Sequence, residues 1–164
     1  MSSAKQQLSE NLSRRLADQV IAVLKAHAFD SPLVAVELNY RSADDYLPMV
    51  IAFTEKEQIS GFPVTEAYTE ERMLSLNQED FEPEITKFTD RVLESEEFDD
   101  GDKMLRETAR LVTTGAAGNV PVAEGFVAFA IDWETDFDEF SKILTDCGAD
   151  SKSLALWKER GWLS

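Results

Sequence analysis

Two apolar segments joined by a short polar turn restrict the fold of this chain more than any other feature. Every second side chain is large and apolar in residues 33–40, with Glu37 and Asn39 between them, and residues 47–54 are mainly apolar. Alternation with a period of two is typical of a strand with one buried face. Because only residues 41–45 separate the segments, the sequence predicts an antiparallel hairpin.

Helical periodicity precedes and follows this hairpin. Leucine or valine recurs every four residues in the N-terminal segment, which predicts an amphipathic helix over 4–27. A short helix is predicted over 68–76. Another is predicted over 83–97, with Pro83 at its start and an apolar stripe that includes Leu93. The stripe's other members are Ile85, Phe88 and Val92.

The second half of the chain predicts a helix over 103–114 with Asp102 as its N-cap. Residues 126–133 are apolar on both faces, which is typical of a central strand covered on both sides. A helix over 136–146 ends before Gly148. A last short helix and an apolar tail should dock on the body, through Leu154, Leu156, Trp157, Trp162 and Leu163.

These elements predict one α+β domain over residues 1–164, with the order α-β-β-α-α-α-β-α. We expect a small, mainly antiparallel sheet of about three strands with helices packed against it. The third strand should return to the hairpin, since an unpaired apolar strand would leave backbone polar groups unsatisfied.

The charge of the chain is large and unevenly distributed. The 164 residues include 32 Asp and Glu and 16 Lys and Arg, a formal net charge of −16. Residues 55–102 hold 16 of these acids and only 4 of the bases. Nucleic acid and anionic membranes would repel such a chain, so neither is expected as a partner. A basic protein partner, a divalent cation or simple solubility remain compatible with it.

Few residues could support catalysis or metal binding by thiolate or imidazole. The chain has one cysteine, Cys147, and one histidine, His27. One cysteine excludes an intrachain disulfide and a thiolate cage. We interpret His27, near the end of the first helix, as a capping or surface residue. No apolar signal core or membrane-length apolar run is present, so a cytoplasmic protein is predicted. No HExxH, GxSxG, CxxC or Walker pattern occurs either, and no cofactor is expected.

The densest run of acids is the candidate partner-binding surface. Its members are Glu94, Glu96, Glu97, Asp99, Asp100 and Asp102. A solvated helix end explains such a run without any function. Acids at the C-terminal end of a helix oppose the helix dipole, however, so the arrangement is locally unfavourable. A negative surface of this kind would speed the encounter with a cationic partner and add specificity.

A second acidic cluster resembles a calcium-binding loop in its spacing. Its carboxylates are Asp132, Glu134, Asp136 and Asp138. The sixth position of such a loop requires glycine and is Phe137, and the twelfth requires glutamate and is Ile143. These departures favour acids that cap or precede the following helix, and the four carboxylates remain weak metal candidates.

The order of elements resembles an uncharacterised family of small bacterial cytosolic domains. The resemblance rests on the long first helix, the hairpin, the strand Gly-Phe-Val-Ala-Phe-Ala-Ile-Asp and the tail Trp-Lys-Glu-Arg-Gly-Trp. Some members of such families are suspected toxin-immunity proteins, so the resemblance implies a binding protein and assigns no functional residue.

Three functions are therefore compatible with the sequence. The first is a non-enzymatic domain that binds a basic protein, such as a toxin that it neutralises. The second is a carboxylate-based or divalent-metal-dependent enzyme. The third is a subunit of a homo-oligomer, in which the apolar tail packs on a second copy.

Overall fold

Helices and strands follow one another in the order α-β-β-β-α-α-β-α-α in a computed structural model of the chain. The structure describes residues 3–42, 45–57, 59, 61–62, 72–133 and 139–163. Within these ranges the helices are α1 (Ser3–His27), α2 (Gln78–Ser95), α3 (Asp99–Gly115), α4 (Phe140–Asp146) and α5 (Ser151–Glu159). The strands are β1 (Leu33–Arg41), β2 (Asp45–Thr54), β3 (Met73–Leu74) and β4 (Val122–Asp132), and a short 3-10 helix spans Ala116–Gly118.

The sheet is mixed, with the strand order β3-β2-β1-β4. Strand β1 is antiparallel to β2, where Val36 lies opposite Ala52, and parallel to β4, where Leu38 lies opposite Ala130. The α+β class and the hairpin are confirmed. The prediction of about three mainly antiparallel strands was wrong, because β3 is a fourth strand and β4 runs parallel to β1. Helices α2 and α3 together return the chain to the end of the sheet where β1 begins.

Helices cover both faces of the sheet. Tyr40 on β1 donates a hydrogen bond to Asp102 of α3, so α3 lies over the face that carries Tyr40. Phe129 on β4 contacts Trp157 of α5 at a ring distance of 6.2 Å, which places α5 over the opposite face. Because side chains alternate between faces, β1 is covered on both sides.

Strand β1 is accordingly buried more completely than the sequence indicates. Glu37 has no exposed surface and accepts a hydrogen bond from the Asn39 amide at 3.1 Å. The prediction of a single buried face was wrong, since the face of Glu37 is covered too. Strand β4 is buried on both faces, as predicted, but it lies at one end of the strand order rather than in the centre.

Helix boundaries differ from the predicted ones at their N-termini. Helix α2 begins five residues before Pro83, because the side chain of Asn77 caps it by accepting from the Glu79 amide at 3.1 Å. Helix α3 begins at Asp99, so Asp102 lies inside its first turn and is not its N-cap. The predicted helix 68–76 is corrected at Met73–Leu74, which pairs with β2 as a strand. Residues 68–71 of that prediction lie outside the described residues.

The C-terminal tail docks on the body, as predicted. Trp157 is fully buried, and its ring lies 5.0 Å from Phe62 and 5.5 Å from Trp162. Gly148 follows α4 with a φ of +100°, a conformation that favours glycine. In the part of the chain that the structure describes, no helix is long and apolar enough to cross a membrane.

Candidate functional site

The acid run divides where α2 ends and α3 begins, at residues 93–99, which we term the α2–α3 corner. Glu94 lies in the last turn of α2, and Glu96 follows that helix with a φ of 57°. Three carboxylates occupy the first turn of α3 instead, namely Asp99, Asp100 and Asp102. Negative charge is stabilising at a helix N-terminus, so only the first part of the run opposes a helix dipole.

Lys5 of α1 neutralises two members of the run. Its ammonium group lies 2.9 Å from Glu97 and 2.5 Å from Asp100. The side chains of Lys5 and Asp100 are only 12% and 11% exposed. The hydrogen bond from Lys5 holds the pKa of Asp100 below its usual value, and Asp100 in turn raises the pKa of Lys5. Asp100 and Glu97 therefore join α1 to the corner.

The remaining carboxylates of the corner face solvent together with two apolar side chains. Glu94, Glu96 and Asp99 are exposed and form no ion pair with any described residue. Leu93 and Phe98 are 56% and 55% exposed, although large apolar side chains are usually covered. No lysine or arginine occurs between residues 93 and 99. The corner thus combines two apolar side chains with uncompensated negative charge.

Asp102 points inward, away from this surface. It accepts a hydrogen bond from the Tyr40 hydroxyl at the end of β1. Asp132, at the end of the parallel strand β4, accepts a hydrogen bond from the Ser42 amide at 3.3 Å. Burial raises the pKa of Asp102, and the charge of Asp132 adds to this effect while the Tyr40 hydrogen bond opposes it. Burial, with the charge of Asp102, raises the pKa of Tyr40 well above its ordinary value.

The calcium-like cluster is represented in the structure by Asp132 alone. Glu134, Asp136 and Asp138 lie outside the described residues. Among the residues that are described, no group of three His, Cys, Asp or Glu side chains is placed to hold a metal ion.

The chain's one histidine and one cysteine lie at the ends of α1 and α4. His27 is exposed at the end of α1, and its ring lies 4.3 Å from that of Phe29. Cys147 is buried after α4, and burial raises the pKa of its thiol to about 12. A thiol in such a setting is protonated at neutral pH and is a poor nucleophile.

Two features of the corner escape the sequence patterns. Leu93 is counted in the apolar stripe of α2, but Val92 already occupies that place in the core. Adjacent residues of a helix point about 100° apart, and here Val92 faces the core while Leu93 faces solvent. Phe98 lies between the two helices and belongs to no periodic segment. Its exposure is therefore visible in the structure and not in the sequence.

Comparison of the chain with protein-family models, curated proteins and solved structures finds no match.

Proposed function

We propose that this protein is a non-enzymatic binding domain whose α2–α3 corner docks a basic protein partner, such as a toxin that it neutralises. The observation that supports this most is the exposure of Leu93 and Phe98 beside the unpaired carboxylates of Glu94, Glu96 and Asp99. A partner that matches the corner offers lysine or arginine around an apolar pocket or side chain.

The two kinds of side chain have different roles in this proposal. Covering Leu93 and Phe98 removes apolar surface from water, which supplies affinity. The carboxylates attract a cationic partner over a distance of about one Debye length and disfavour acidic ones. Lys5 holds the corner in place by its ion pairs with Glu97 and Asp100, so the docking surface is fixed before the partner arrives.

Selection of peptides from a random library on the immobilised protein tests the proposal. We expect the enriched peptides to combine lysine or arginine with aromatic or aliphatic residues. The double variant L93S/F98S should weaken their binding by about tenfold or more, because both apolar contacts are lost. Both side chains are already more than half exposed, so the fold should survive, which a thermal melt will confirm.

A matched control replaces an exposed apolar side chain elsewhere without changing the charge. Trp133 is 37% exposed and follows β4, and W133S should leave peptide binding unchanged. Enrichment of acidic or neutral peptides, or equal binding to wild type and L93S/F98S, would contradict the proposed docking surface.

A further inference from the structure

A groove of about 520 Å³ separates α3 from α4. It is bordered by charged side chains of both signs, five on α3 and two on α4. These are Asp99, Asp102, Lys103, Arg106, Glu107, Lys142 and Asp146. The volume is in the range of small-molecule sites, roughly 300–1,000 Å³.

Most of the carboxylates in the groove already have partners. Asp146 lies 2.7 Å from the guanidinium of Arg106. Glu107 accepts two hydrogen bonds from Arg110, one of them at 2.8 Å. Asp102 accepts from the Tyr40 hydroxyl. Asp99 has neither an ion pair nor a side-chain hydrogen bond with a described residue.

The cationic side chains of the groove have fewer ion-pair and hydrogen-bond partners than its carboxylates. Neither Lys103 nor Lys142 forms an ion pair with any residue that the structure describes. Arg106 is held by Asp146 through one terminal nitrogen, while its Nε is buried and has no hydrogen-bond partner in the described part of the chain. A buried donor without an acceptor costs free energy until a ligand or water satisfies it.

We propose that this groove binds a small molecule that bears a carboxylate or phosphate group, held by Lys103, Arg106 and Lys142. An oxyanion can accept from the two ammonium groups and from Arg106, and such charge-assisted hydrogen bonds are among the strongest in proteins. The net charge of −16 does not prevent this, because charges beyond about 10 Å are screened at physiological salt and two of the groove's carboxylates, Asp146 and Glu107, are paired with Arg106 and Arg110.

The position of the groove in the fold agrees with this inference. Asp102 lies in the first turn of α3 and Lys103 directly follows it, so the groove lies near the N-terminal end of this helix, where the helix dipole favours anions. Asp102 connects the groove to Tyr40, at the carboxyl end of β1 beside the parallel strand β4. Ligand sites in open sheets commonly lie at the carboxyl ends of parallel strands. This inference does not depend on the docking surface at the α2–α3 corner.

Titration of the isotope-labelled protein with inorganic phosphate and, separately, with malonate tests the inference by amide chemical shifts at constant ionic strength. We expect saturable shifts at Lys103, Arg106 and Lys142 with at least one of the two anions, and the better probe identifies the preferred group. The double variant K103M/K142M should weaken this binding by about tenfold or more, since two charge-assisted contacts are removed.

The control variant K87M/K158M removes the same charge from exposed lysines on α2 and α5 and should bind like wild type. Shifts that rise linearly without saturation for both anions would overturn the inference. An equal loss of binding in the two double variants would overturn it as well, because the effect would then come from net charge alone. So would saturable shifts at these amides with 1,4-diaminobutane and not with the anions, since the groove would then prefer cations.

Discussion

Asp102 shows how the surroundings of one residue decide its role. In the sequence it is one of six crowded acids, and its position before an apolar stripe suggests only an N-cap. In the fold it is turned toward Tyr40 and Asp132, and burial raises its pKa. A carboxylate in this position is less stable when ionised than it would be in water. Its partners come from β1 and β4, which are distant in sequence, so no local pattern could indicate its orientation.

The raised pKa of Asp102 predicts a pH-dependent effect of D102N. The unfolded carboxyl titrates near 3.8 and the folded one at a higher pH, so the folded state holds the proton longer and stability falls as the pH rises through this window. The asparagine side chain that D102N introduces cannot ionise, and its carbonyl can still accept from Tyr40. We therefore expect D102N to be more stable than wild type above the window, and the gain to vanish below about pH 3.8.

Urea unfolding of both proteins over a pH series measures this difference. D99N, which removes a charge from the same helical turn at an exposed position, is the control and should lack the effect. A loss of stability in D102N at neutral pH, or a gain that is the same at every pH, would be inconsistent with burial as the main cause.

At the scale of elements, the outer edge of β4 is closed by side chains. The hydroxyl of Thr113 on α3 accepts a hydrogen bond from the Ala128 amide at 3.0 Å and lies 3.1 Å from the Ala128 carbonyl oxygen. The indole of Trp157 donates to the Gly125 carbonyl at 2.8 Å, and Arg160 donates to the Glu124 carbonyl at 3.0 Å. An edge strand with unpaired backbone groups can pair with a strand of another chain. Because β4 is an edge strand of the sheet, these contacts protect it from such pairing.

Substitution of Thr113 tests how much this closure contributes. The near-isosteric T113V leaves the Ala128 amide without its acceptor in a partly buried site, which should destabilise the protein by about 1–3 kcal/mol. The neighbouring T114V is the control, since Thr114 is exposed and bonds only to carbonyls of its own helix. Denaturant unfolding compares the two, and equal stabilities would mean that Thr113 does not hold the edge.

The first turn of α3 depends on a glycine for its close approach to β2. A Cβ at Gly101 would overlap the ring of Tyr46, which is buried. G101A should therefore destabilise the protein by about 1–3 kcal/mol, although alanine is the better helix former. At Gly118 a Cβ would meet no atom within 4 Å, so G118A is the control. If G101A melts at the temperature of wild type or above, α3 does not pack against Tyr46 as described.

At the scale of the whole molecule, local patterns predict the elements and long-range contacts decide their arrangement. The hairpin, the first helix and the apolar strand β4 follow from periodicity, since each is a local property of its segment. The parallel pairing of β1 with β4 joins residues about 90 positions apart, so the periodicity of either segment cannot predict it. Strand β3 is two residues long, too short for any pattern to indicate.

The same holds for the candidate site, whose residues can be predicted from the sequence but whose arrangement depends on long-range contacts. The acid run is plain in the sequence, but its division is not, because Lys5 reaches Glu97 and Asp100 from the other end of the chain. The exposed carboxylates of the corner that form no ion pair with a described residue are Glu94, Glu96 and Asp99, and its exposed apolar side chains are Leu93 and Phe98.

The most direct test of the docking surface is the salt dependence of peptide affinity. A selected basic peptide is titrated calorimetrically into wild type and E94Q/E96Q/D99N at about 50 and 300 mM salt, with E10Q/D18N/E159Q as a control that neutralises three exposed acids elsewhere. We expect the affinity for wild type and for the control to fall by about tenfold at the higher salt, and the corner variant to bind weakly at both. An affinity that does not change with salt concentration and is the same for all three proteins would contradict the proposed docking surface.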